Sequence, residues 1–173
     1  AVVRWLSHGV SPNAVDQNFP LLACASFKGR VDTVDLLLAV GADVDAGITD
    51  TGATSLYLAA QEGHVVVVEK LIAACADVEK ARTTDGSTPL YMAAQEGHTA
   101  TVEKLIAASA DVDKAKTTTG STPLWSAAQN GHTAVVSKLL QHGADKSIRG
   151  WHNETPLEAA QRMNRAAVVV LLA

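Results

Sequence analysis

Apolar residues in this chain fall into short clusters at helical spacing, and the clusters repeat. Leu56, Ala59 and Ala60 share one face of a helix, as do Leu90, Ala93 and Ala94, and Leu124, Ala127 and Ala128. A second stripe follows each of these: Val68, Leu71 and Ile72, then Val102, Leu105 and Ile106, then Val136, Leu139 and Leu140. Each pair of stripes predicts two short helices with their apolar faces turned inward. The steps from Leu22 to Leu56, Leu56 to Leu90 and Leu90 to Leu124 are 34 residues each, and Leu124 to Leu157 is 33. Such a period predicts a row of small stacked units held by nearest-neighbour contacts rather than one globular core.

The polar residues punctuate these stripes. The string Thr-Pro-Leu-Tyr-Met-Ala-Ala-Gln-Glu-Gly-His at Thr88–His98 returns, little changed, at Thr54–His64 and Thr122–His132, with worn copies at Pro20–Arg30 and Thr155–Arg165. Threonine accepts from an orphan N–H at a helix start, and proline just after it suits the first turn, so a helix is expected to begin at each such site. Gly97 and its equivalents end it; in the last copy Asn164 stands in for Gly131. The second helix ends at Gly41-Ala42-Asp43 and Gly143-Ala144-Asp145, but Cys75 and Ser109 replace that glycine in two units. Either they adopt a left-handed conformation at about 1–2 kcal/mol, or the turn is rearranged. Polar loops rich in Thr, Gly and Asp then lead to the next helix and suit projecting hairpins.

These motifs, with the V-x-x-L-L/I stripe and the G-A-D-V ending, resemble the ankyrin repeat over nearly the whole chain. The resemblance implies an all-α solenoid of antiparallel helix pairs with projecting β-hairpin loops. It divides the chain into a partial repeat at 1–13, full repeats at 20–53, 54–87, 88–121 and 122–154, and a C-terminal repeat at 155–173. In the partial repeat, Val2, Val3, Trp5 and Leu6 read as an orphan second helix. Tyr57, Tyr91, Trp125 and Glu158 occupy the place of the family's usual histidine, and the residue that lengthens three of the periods belongs in the hairpin loop. The apolar ending Ala167–Ala173 suggests cover by further protein or a partner.

Composition narrows the chemistry. The chain has 173 residues, 47% of them hydrophobic, and a net charge of −4, which argues against wholesale nucleic-acid binding. Lys80, Arg82, Lys114, Lys116, Lys146 and Arg149 nevertheless recur around the hairpins as a basic edge, offset by Glu79, Asp85 and Asp113. A basic-edge binder of nucleic acid or anionic lipid is therefore a rival reading. Cys24 and Cys75 lie in dissimilar slots and read as reduced packing residues, and the cytoplasm or nucleus is the expected compartment. No apolar run approaches the length of a membrane span.

The sequence holds no phosphate loop, paired-cysteine metal site or nucleophile–base set, so neither enzyme activity nor a cofactor or metal is expected. Asp50-Thr51-Gly52-Ala53-Thr54 looks like the aspartic-protease signature, but its slot repeats as Thr84–Thr88 and Thr118–Thr122, where glycine serves a turn and the aspartate is optional. His64, His98 and His132 are one unit apart, too far to share an ion, and read as helix-junction residues. Asn153-Glu154-Thr155 matches the glycosylation pattern, but Thr155 is the expected cap of a helix. By the family resemblance, Asp45 and Asp113 fall where an asparaginyl hydroxylase modifies such arrays, although Asn is usual there.

What differs between near-identical units is left for recognition. The expected function is a non-catalytic, monomeric module that binds a protein or peptide through a concave groove and the hairpin tips. The candidates on the first helices are Tyr57, Gln61 and Glu62, then Tyr91, Gln95 and Glu96, then Trp125, Gln129 and Asn130. On the tips they are Arg82, Asp85, Lys116, Thr118, Arg149, Trp151 and His152. Aromatic side chains make strong interface anchors, although Tyr57, Tyr91 and Trp125 could equally fill the space of the missing histidine. An array serving as the arm of a larger enzyme or channel is an alternative. The near identity of Thr54–Val78 with Thr88–Val112 fits recent duplication or an engineered scaffold.

Overall fold

The computed structural model describes residues 11–16 and 18–173. The expected orphan helix at Val2–Leu6 lies outside them. Among the described residues, a two-residue antiparallel pair, β1 (Val15–Asp16) and β2 (Phe19–Pro20), precedes ten α-helices. They form five consecutive pairs: α1 (Leu21–Phe27) and α2 (Val31–Ala39), α3 (Ser55–Gln61) and α4 (Val65–Ala73), α5 (Pro89–Glu96) and α6 (Thr99–Ala107), α7 (Pro123–Asn130) and α8 (Thr133–Gln141), and α9 (Pro156–Arg162) and α10 (Ala166–Leu172). Each helix packs on its own partner and on its counterparts in adjacent pairs, so the first helices form one layer and the second helices another.

The predicted boundaries follow from the punctuation. Thr54, Thr88, Thr122 and Thr155 are the caps of α3, α5, α7 and α9, each accepting from the N–H three residues on. Cap loss at such a site costs about 1 kcal/mol. Thr155 and Glu158 form a reciprocal capping box. The two non-glycine substitutes resolve in favour of strain: Cys75 and Ser109 take φ of 63° and 68°, in the slot where Gly41 and Gly143 take 83° and 85°. Asn164 is likewise left-handed at 55°.

The common residues join unit to unit. A continuous core runs from Leu22 to Leu172, with Leu56, Leu90 and Leu124 in equivalent buried places. His64, His98 and His132 direct Nε2 to the carbonyls of Phe27, Gln61 and Gln95 in the preceding pair, at 3.1, 2.9 and 2.8 Å. A carbonyl can only accept, so Nε2 carries the hydrogen. In the last pair Arg165 takes this role, donating from Nε to the Gln129 carbonyl at 3.0 Å. The ring of each histidine lies against a glycine: a Cβ on Gly63 would sit 2.6 Å from the His98 ring, and one on Gly97 2.6 Å from that of His132.

Two further seams run along the stack. At the turn after each second helix, the backbone N–H of Asp43, Asp77, Asp111 and Asp145 donates to the side chain of Asn13, Asp45, Glu79 and Asp113, respectively. Asp45 and Asp113 thus bind the next unit. On the outer layer Lys70, Lys104 and Lys138 pair with Asp35, Glu69 and Glu103 at 2.6–2.7 Å. The loops between pairs are tight hairpin turns, closed by donation from Ile48, Arg82 and Lys116 N–H to the carbonyls of Ala53, Ser87 and Ser121. Among the described residues, strand pairing is confined to β1 and β2.

Candidate functional site

The aromatic residue in the first turn of α3, α5 and α7 lies beneath a hairpin and not on the outward face that an exposed anchor requires. Tyr57 is 1% exposed, Tyr91 5% and Trp125 2%. The Trp125 indole N–H donates to the Glu154 carbonyl at 3.0 Å. Tyr57 Oη lies 3.2 Å from Ser87 Oγ, which itself donates to Asp85 Oδ1 at 2.7 Å. Because Ser87 gives its hydrogen to the carboxylate, Tyr57 is the donor to Ser87. Tyr91 lies under the Lys116 ammonium, 5.6 Å from the ring centroid. These three side chains fix the hairpins over the first helices, so of their two readings the burial favours filling the space of the missing histidine over projecting as anchors.

Asp85 is also turned inward, at 8% exposure. Arg82 grips it with two donors at 3.0 and 2.6 Å, and the Lys116 ammonium approaches to 2.9 Å. Burial alone would raise its pKa, but hydrogen bonds from Arg82, Lys116 and Ser87 outweigh it and hold the carboxyl well below the usual carboxylate range. The Arg82 guanidinium also stacks 5.6 Å from the Tyr57 ring centroid. Asp85 stands in the slot of Thr51 and Thr119, and it joins two hairpins through its carboxylate on Lys116 and through its carbonyl, which accepts from both the N–H and the hydroxyl of Thr117.

Four of the six residues of the basic edge are engaged within the chain, while Lys80 and Lys114 are exposed. Arg82 and Lys116 share Asp85, Arg149 pairs with Glu158 at 2.9 Å, and the Lys146 ammonium donates to the Leu172 carbonyl at 3.0 Å. These contacts weaken its reading as a polyanion-binding strip.

A concave cleft of about 470 Å³ opens between α5, α7 and the adjoining hairpin tips. It brings together Tyr91, Gln95, Glu96, Lys116, Trp125, Gln129, Asn130 and Trp151 of the expected set. The two buried aromatics contribute to its floor, and the polar residues to its walls. Gln61 and Glu62 continue the same row one unit earlier, outside the cleft itself. Arg82, Asp85 and Tyr57 lie in the hairpin network already described, while Thr118, Arg149 and His152 are exposed on the tips. The last tip is a short 3-10 turn, Trp151–Asn153, in which His152 and Asn153 take φ of 60° and 57°. Trp151 is 54% exposed and stacks on the His152 ring, with centroids 4.9 Å apart and planes at 6°. The Trp151 backbone N–H donates to Ser121 Oγ at 3.1 Å, which fixes the tip on the preceding hairpin.

Thr119, Ser121 and Ser126 also line the cleft and were not foreseen. Ser121 could have been: it repeats Ser87 one period later, and Thr119 repeats Asp85, donating to Ser121 Oγ at 3.1 Å.

The family model for ankyrin repeats (3 copies) matches residues 1–82, 21–116, 67–150 and 90–173, which together span the chain. The chain belongs to the ankyrin-repeat family. No curated protein matches its sequence. Ankyrin repeats typically mediate protein–protein interaction and are usually non-catalytic. Among the described residues no helix is long and apolar enough to cross a membrane.

Proposed function

We propose that this ankyrin array is a non-catalytic interaction module that holds a protein or peptide in the groove between its first helices and its hairpins. The observation that carries the reading is the cleft beside Trp151. Gln95, Glu96, Gln129 and Asn130 present side chains there from two successive helices, and a half-exposed tryptophan, held by a backbone hydrogen bond and a stacked histidine, stands on its rim. Rigid aromatic side chains bind at low entropic cost, and polar rims set orientation. The core and histidine positions are occupied by contacts between units, whereas the Gln95, Glu96 and Gln129 side chains make no hydrogen bond or ion pair to another unit, and the slot of Glu96 changes to Asn130 in the next unit.

The test is affinity capture of partners on the intact chain, with two comparisons. A Trp151→Ala/Gln129→Ala variant changes the groove, and Ala107→Lys changes the exposed outer side of α6. Loss of the captured protein with the first variant and retention with the second supports the assignment. Retention with the first, or loss only with the second, overturns it.

A further inference from the structure

We infer that the groove selects an extended peptide segment carrying two cationic side chains about three residues apart, which pair with Glu62 and Glu96. This rests on the groove reading above and adds the chemistry of the partner.

The charges along the groove sort into those engaged by the chain and those that are not. Lys116 lines the cleft, but its ammonium lies on Asp85, as does the guanidinium of Arg82. Glu62 and Glu96 occupy the same slot in successive units and are both exposed. Each accepts from the amide of the preceding glutamine, Gln61 at 3.1 Å and Gln95 at 2.9 Å. An amide is neutral, so these contacts orient the two carboxylates and leave their charge uncompensated. The ion pairs of the array lie elsewhere, on the second helices, on the hairpins and at the start and end of α9.

The negative stretch is short. The same slot holds Lys28 one unit earlier and Asn130 one unit later, and Arg165 brings positive charge to the fifth pair, where Arg162 is already paired with Glu154. A uniformly basic ligand would meet repulsion at both ends, so the fit is to a pair of cations and not to a polybasic tract. Stacked helices lie about 8–10 Å apart, and an extended chain advances about 3.3 Å per residue, so carboxylates one unit apart match side chains at i and i+3. A segment laid along the row then continues toward Asn130 and the Trp151 indole, which offers a further apolar or cationic contact. An acidic or phosphorylated segment would instead meet two unpaired carboxylates.

The experiment is selection of a random peptide-display library on the intact chain, followed by titration of synthetic peptides against it and against two variants. One is Glu62→Gln/Glu96→Gln, the other Trp151→Ala/Gln129→Ala, and thermal unfolding establishes that both are folded. The expected result is enrichment of Arg or Lys at i and i+3. Binding weakens at least tenfold in the glutamine variant and falls as salt rises from about 50 to 500 mM, as screening requires. Peptides that lose affinity in the Trp151 variant but show no paired basic residues, or bind the glutamine variant as well as the parent, overturn this inference and leave the groove assignment standing. Peptides insensitive to both variants, or no enrichment at all, overturn both.

Discussion

Asp85 is nearly buried and ionised, and its partners explain how. Two cations and a serine hydroxyl replace the water that it has lost. Because its folded-state pKa lies below the ordinary carboxylate value of about 3.9, its contribution is complete above that value and is lost as pH falls toward the folded one. Asp85→Asn should therefore destabilise the array by about 1–3 kcal/mol at neutral pH and flatten the loss of stability below about pH 4. Denaturant titrations at several pH values measure both. The two tryptophans of the groove should separate in the same assay. Trp125→Ala removes a buried side chain and should cost about 3–5 kcal/mol, whereas Trp151→Ala should stay within about 0.5 kcal/mol. The residue type did not reveal this difference. Tyr57, Tyr91 and Trp125 were legible as a repeated aromatic slot, but their burial depends on partners such as Ser87 and Glu154, about thirty positions away in sequence, that no local pattern connects to them.

At the scale of the helix, most of the architecture could be read directly because each boundary has a local cause. Threonine caps, proline in the first turn and glycine at positive φ recur with the apolar stripes, and the helices begin and end where those residues stand. The strained departures are also local, which makes them testable. Ser109→Gly should stabilise the protein by about 0.5–1 kcal/mol, since glycine removes the left-handed penalty while adding some chain entropy to the unfolded state. Two glycines with the same sign of φ should differ. A Cβ at Gly143 meets nothing within 4 Å and incurs only the conformational cost, whereas one at Gly97 must also displace the His132 ring. Gly97→Ala should accordingly lower the unfolding midpoint more than Gly143→Ala. The hairpins were less legible than the helices: turn residues announced their tips, but the convergence of Arg82 and Lys116 on one carboxylate depends on how two successive loops lie against each other.

Over the whole molecule, equivalent leucines experience equivalent surroundings when a unit is packed on both sides. Leu90→Ala should cost about 2–5 kcal/mol, and Leu157→Ala, at an only partly buried position in α9, should cost less. Equilibrium unfolding of the two variants compares them. The fold is readable from one chain because the common residues bind neighbouring units, and the partner is much less so because the proposed recognition rests on the rim. An NMR chemical-shift map of the 18.0 kDa chain with a peptide selected on it tests that proposal most directly. The account predicts the largest shifts at Glu62, Gln95, Glu96, Gln129, Asn130 and Trp151, with the second helices unmoved. Shifts centred instead on Glu69, Lys104 and Ala107, on the outer side of α4 and α6, would contradict it.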